Sequence, residues 1–113
     1  MTDSIELSGL PDGVYPGHAQ IPFEQLKQGN KVTISGTQTL IGTCIGLDEC
    51  VRNLMAWAEI GVEEAVRCVT ENVADAMGLV DRGKLEVGRR GDFVVLSEDG
   101  KVLETWILGE RVV

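Results

Sequence analysis

Gly91-Asp92-Phe93-Val94-Val95-Leu96-Ser97-Glu98-Asp99-Gly100-Lys101-Val102-Leu103-Glu104-Thr105-Trp106-Ile107-Leu108 reads as two apolar runs joined by a turn. Phe93–Leu96 is almost continuously apolar, Glu98-Asp99-Gly100 is a hairpin turn, and Val102–Leu108 returns as the partner strand. Gly109-Glu110 turns once more and Arg111-Val112-Val113 ends extended, so the closing third predicts a three-stranded meander. Successive strand residues point to opposite faces, and unbroken apolar runs therefore load both faces. A sheet apolar on both sides asks for a covering layer, which the remaining elements of this chain scarcely supply. The meander reads as part of something larger.

Upstream, Lys84-Leu85-Glu86-Val87-Gly88-Arg89-Arg90 leads into the meander from a helical region. Leu47, Val51, Leu54, Met55 and Ala58 recur at i, i+4, i+7, i+8 and i+11, which predicts a helix from about Leu47 to Glu59 with one apolar stripe. Asp48 and Glu49 in its first turn complement the positive end of the helix dipole. Gly61 closes it and Val62-Glu63-Glu64 opens another, with Ala65, Val66, Val69, Val73 and Met77 expected inside and Gly78 as a left-handed cap. Glu71 or Asn72 interrupts that pattern, so one long helix and two short ones fit equally well. Both apolar stripes are read as core. Gly36-Thr37-Gln38-Thr39-Leu40-Ile41-Gly42-Thr43 is read as a small, polar loop running into the first helix, where free N–H groups offer an anion site.

The N-terminal third carries the candidate chemistry. Pro11-Asp12-Gly13 is a turn, because proline presets φ and glycine accepts positive φ after it. Short strands are expected at Val14-Tyr15, Ile21–Leu26 and Lys31–Ser35, with Gln28-Gly29-Asn30 turning between the last two. Pro16 and Pro22 hold this excursion at a sheet edge. His18 is taken as an exposed loop residue. Met1-Thr2 is too brief to begin a domain and resembles the end of a strand that started earlier. Asp3 then stands at a strand end above a glycine-rich loop, where hydrolases keep a general base; the plain alternative is a solvated terminal carboxylate.

Composition narrows the classes. The chain has 113 residues, 43% hydrophobic and 25% charged, the balance of a soluble globular protein. A net charge of −8 argues against nucleic acid and anionic membrane as partners, since both select cationic surfaces. Cys44, Cys50 and Cys68 form no CxxC pair, and with a single histidine they predict reduced thiols and no metal site in this chain. No signal-peptide pattern and no apolar run of membrane-spanning length is visible, so a cytoplasmic location is expected.

Several of these segments together resemble a known family. Thr2-Asp3 with Gly9-Leu10-Pro11-Asp12-Gly13, Leu40-Ile41-Gly42-Thr43 followed by Leu47 through Val51-Arg52-Asn53-Leu54, and Asn72 through Gly78-Leu79 resemble the C-terminal portion of the N-acetylglucosamine-6-phosphate deacetylases, within the amidohydrolase superfamily. Gly83 through Gly88, then Gly91-Asp92-Phe93-Val94-Val95-Leu96, resembles the closing motif of many amidohydrolases. Val73 stands where the family usually has proline, and Gly91 where alanine is commoner.

The resemblance implies an α+β fragment: the last strand and helices of a (β/α)8 metal-dependent hydrolase barrel, then the C-terminal part of a small β-sandwich. Residues 1–83 would be the end of the catalytic barrel, with a β-hairpin insertion and terminal helices, and 84–113 the sandwich strands. The implied reaction is hydrolysis of N-acetyl-D-glucosamine 6-phosphate, an amino-sugar phosphate, to D-glucosamine 6-phosphate and acetate in amino-sugar catabolism. Asp3 matches the catalytic base, and Leu40, Ile41 and Gly42 match a substrate-binding loop. The complete enzyme would use a divalent metal, zinc or similar, to polarise the amide and activate water, with ligands on upstream strands. This chain alone would hold no metal and would be inactive. Homo-oligomerisation, or self-association of the fragment, is expected. Two rival readings remain: a non-catalytic binding or assembly module, and the C-terminus of another amidohydrolase such as a deaminase or cyclic amidase.

Overall fold

The order β1(Gly13–Tyr15), β2(Gln25–Gln28), β3(Lys31–Ile34), β4(Leu40–Thr43), α1(Leu47–Ala58), α2(Val62–Arg67), α3(Glu71–Met77), β5(Phe93–Leu96), β6(Val102–Ile107), β7(Glu110–Arg111) is seen in a computed structural model that describes residues 1–113. The chain divides into two compact units, Met1–Leu47 and Asp48–Val113.

In the first unit β1-β2-β3-β4 form an antiparallel sheet in sequence order. Gly29 at φ 56° is the first central residue of the two-residue turn closing β2 on β3, the place a type II′ turn reserves for glycine. The sequence placed the second strand at Ile21–Leu26, but pairing begins only at Gln25. Residues 18–21 instead close a turn, with His18 and Ile21 exchanging backbone hydrogen bonds at 2.8 and 3.0 Å. Leu40–Thr43, expected as loop, is strand β4, and residues 44–46 separate it from α1. The helix N-terminus therefore does not follow directly on that stretch. Val32 and Leu7 are the buried apolar side chains of this unit, and Gln25 and Lys27 are buried beside them.

In the second unit the three helices precede the β5-β6-β7 meander. Cys68-Val69-Thr70 separates α2 from α3, so the helical pattern resolves into two short helices. Gly78 caps α3 at φ 68°, and Leu79 N–H closes back on the Ala74 carbonyl at 2.8 Å. Ala65 and Ala74 are buried, whereas Val73 and Met77, expected inside, are exposed. On α1 Val51 is buried, but Leu47 and Ala58 of the same expected stripe are exposed. Arg52 donates to the Gly100 carbonyl at 3.3 Å, which ties α1 to the β5–β6 turn. The meander forms as expected, with Phe93 opposite Trp106 and their rings stacked at 5.3 Å, except that its last turn is Leu108-Gly109 and the third strand begins at Glu110, a residue expected in the turn. Val94 and Val95 point to opposite faces and both are exposed, so the two-sided apolar character persists in the folded sheet.

Candidate functional site

Asp3 lies in the first unit, exposed, at φ 53°. That left-handed conformation is one asparagine and aspartate tolerate better than other side chains. Met1–Asp3 forms no regular strand; an isolated parallel bridge joins Ser4 to Thr43. Around it the Asp3 carbonyl accepts the Thr43 N–H at 2.8 Å, and the Thr43 carbonyl accepts the Ile5 N–H at 3.0 Å. The Thr43 hydroxyl donates to the Thr2 carbonyl.

Gly42 is buried beneath this crossing. A Cβ at Gly42 would fall 2.6 Å from Ile5 Cγ2, 3.0 Å from the Asp3 carbonyl and 3.8 Å from Asp3 Oδ2. The absence of a side chain is what lets the Asp3 segment lie across β4. Asp3 and Gly42, far apart in sequence, are thus brought together. Ile41 is half-buried and Leu40 is exposed. The β3–β4 register slips between Val32, opposite Gly42, and Thr33, opposite Leu40, which leaves Ile41 as the extra residue of a bulge. Bulges re-aim side chains and are frequent beside active sites. Thr43 is the residue that the sequence does not single out here; it reads as the end of a small polar loop, and nothing in its type marks it as a tie.

The loop after Asp3 is fastened at two points. Gln25 Nε2 donates to Glu6 at 3.3 Å, and His18 Nε2 lies 3.1 Å from the same carboxylate oxygen. Glu6's own backbone N–H, then the Gln25 amide, hold its carboxyl below the ordinary value, with His18 adding to them. Asp12 accepts the Gly29 N–H at 2.9 Å and the ammonium of the buried Lys27 at 3.1 Å, which lowers its carboxyl in turn. Pro11-Asp12-Gly13, expected as a turn, is not one: Gly13 opens β1 without a positive φ, the turn falls at residues 6–9 with Gly9 at φ 82°, and the Asp12 carboxylate instead pairs a buried cation. His18 is exposed in its loop, as expected, and its imidazole lies against the Glu6 carboxylate.

A divalent metal, implied by the resemblance, does not fit the donors of this chain: no group of three or more His, Cys, Asp or Glu side chains is placed to hold one. What the arrangement offers chemically is one carboxylate presented over a strand that has a glycine at the point of closest approach. No helix is long and apolar enough to cross a membrane.

The amidohydrolase family model matches residues 45–113. The N-acetylglucosamine-6-phosphate deacetylase of Danio rerio is 35% identical over 114 aligned positions, covering 99% of this chain and 27% of its own length. That of Vibrio furnissii is 32% identical, with the same coverage. Among solved structures, the Thermotoga maritima deacetylase superposes with a TM-score of 0.80 at 28% identity, over 96% of this chain and 29% of that one. A Mycobacterium smegmatis deacetylase variant, solved in complex with N-acetyl-D-glucosamine-6-phosphate, matches all of this chain and 30% of its own at the same TM-score and identity. The chain spans about a quarter of the length of the curated relatives it matches. With the family model covering more than half of its residues, the chain belongs to the amidohydrolase family.

Proposed function

We propose that the chain is the C-terminal part of an N-acetylglucosamine-6-phosphate deacetylase, which hydrolyses N-acetyl-D-glucosamine 6-phosphate to D-glucosamine 6-phosphate and acetate. Residues 1–83 then belong to the end of a (β/α)8 barrel and 84–113 to the C-terminal strands of a small β-sandwich. The observation that carries the reading is the meeting of Asp3 with Gly42, the two segments that the resemblance makes catalytic and substrate-binding. Similarity to deacetylases over 99% of the chain supports the substrate class.

In this reading Asp3 takes the proton of the attacking water and passes it to the leaving amine. A carboxylate suits both steps, since its low basicity lets it surrender the proton again once the tetrahedral adduct collapses. Leu40, Ile41 and Gly42 form the segment that meets the sugar, Gly42 acting by letting Asp3 lie close across it. A divalent metal, when bound in the complete enzyme, would polarise the amide carbonyl; its ligands would come from outside these residues. The complete enzyme is a cytoplasmic homo-oligomer in this proposal.

The test has two arms. The isolated 113-residue chain, incubated with N-acetyl-D-glucosamine 6-phosphate and zinc, should release no acetate above background. Turnover that vanished in Asp3→Asn would overturn the inactivity of the chain. In a longer protein carrying this segment, Asp3→Asn should lower kcat by about 10²- to 10⁴-fold with little change in KM. An Asp3→Asn protein retaining full kcat would remove Asp3 from the mechanism.

A further inference from the structure

Thr43 spends every polar group it has on the segment that carries Asp3. Its hydroxyl donates to the Thr2 carbonyl, its N–H to the Asp3 carbonyl at 2.8 Å, and its own carbonyl accepts the Ile5 N–H at 3.0 Å. These bonds surround a single parallel bridge at Ser4, which has no neighbouring rungs to reinforce it. An isolated bridge opens easily, because each bond must offset chain entropy alone. Asp3, moreover, sits at φ 53°, a conformation a free aspartate seldom holds. Something must keep it there: the Thr2 hydroxyl spans it locally by accepting the Ser4 N–H at 3.3 Å, and the only groups from elsewhere in the fold bonded to its flanking carbonyls are those of Thr43.

We infer that Thr43 is a positioning residue for Asp3: its hydroxyl, bound to the Thr2 carbonyl, completes a clasp with the two backbone bonds and holds Asp3 in the left-handed conformation that sets its carboxylate beside Gly42. This rests on the reading of Asp3 as the base. The hydroxyl is part-buried and committed to a main-chain acceptor, so it serves geometry and not proton transfer. Gly42 supplies the clearance and Thr43 the tie; neither does the work of the other. A valine at 43 keeps the shape and both backbone bonds and removes only the hydroxyl.

The experiment is amide hydrogen exchange and NMR on the 113-residue chain with Thr43→Val and Thr43→Ser. Thr43→Val should speed exchange at the amides of residues 43 and 5 by about tenfold, leave the β2–β3 ladder within about twofold, and shift the Asp3 backbone coupling towards a coil average. Thr43→Ser, which restores a hydroxyl, should return all three readings to the parent values. A valine variant with Asp3 and Ile5 unchanged overturns the clasp, as does loosening of the whole sheet alike, which would mark a general structural role. If the valine chain fails to fold, the parent decides: a Thr43 hydroxyl proton protected from water supports the clasp, and one in fast exchange overturns it. No activity is read, so failure of the clasp stays distinct from failure of Asp3 as a base, which the Asp3→Asn assay judges.

Discussion

Leu108 takes φ 53° and Gly109 follows at φ 81°, the pair of positive values that a type I′ hairpin turn between β6 and β7 demands. Leucine is a poor residue for the first of these positions, and here it is also 67% exposed, so little burial offsets the strain. Leu108→Asn is expected to stabilise the chain by about 0.5–1 kcal/mol, read as a shift in urea midpoint without change in slope. Gly91 has a similar local logic. A Cβ there would lie 2.9 Å from the Gly109 nitrogen, whose N–H donates to the Gly91 carbonyl at 2.9 Å, so glycine fits where this turn packs close. Gly42 is the sharpest case, with Ile5 Cγ2 and the Asp3 carbonyl both inside contact distance of an added methyl. Gly42→Ala should cost about 1–3 kcal/mol through overpacking and perturb the NMR signals of Asp3 and Ile5 before those of β1.

Hairpins and turns carry the charge pairs that acid will undo. Lys101 first, then the Ser97 hydroxyl, lowers the Asp99 carboxyl to about 2, in the turn between β5 and β6. The Leu108 N–H lowers Asp92 at the next turn, and the Gly29 N–H, then Lys27, lowers Asp12. Each carboxyl has a folded pKa below its ordinary value of 3.8, so its stabilisation is complete above that value and disappears as pH falls through the folded one. Glu6, held below its ordinary 4.5, adds the same trend from a higher start, so urea midpoints should be level from neutral pH down to about 5 and decline from there towards about 2. A midpoint unchanged across that lower window would count against the latches. The elements themselves were largely legible: the meander, α1, the Gly78 cap and the β2–β3 turn follow from period, glycine and charge placement. Strand β4 was not, because Gly36-Thr37-Gln38-Thr39 has loop chemistry and only pairing with β3 extends Leu40–Thr43. Val73 and Met77 misled for the complementary reason. A helical stripe tells which residues share a face, not whether another element covers it.

For the molecule as a whole, the burial is meagre for so apolar a chain. The buried apolar side chains are Leu7, Val32, Val51, Ala65 and Ala74, while Trp57, Met77, Val80, Leu85 and Val87 are among those left exposed. A surface of this kind is expected to bind an apolar dye and to self-associate. Sedimentation velocity at rising concentration, beside dye fluorescence, checks it: a monomer that binds no dye would favour a self-sufficient assembly module over a portion of a larger hydrolase.

Period, turn chemistry and composition determined by themselves that this chain is α+β, that its last third is a meander apolar on both faces, and that its net charge is −8. These are local or summed properties, written residue by residue. Motif order added the family. Only tertiary structure decided that Leu40–Thr43 is a strand, that Asp12 pairs the buried Lys27, and that Asp3 meets Gly42 and is tied by Thr43. Such meetings depend on which strands pair and in what register, and no window of neighbouring residues contains them.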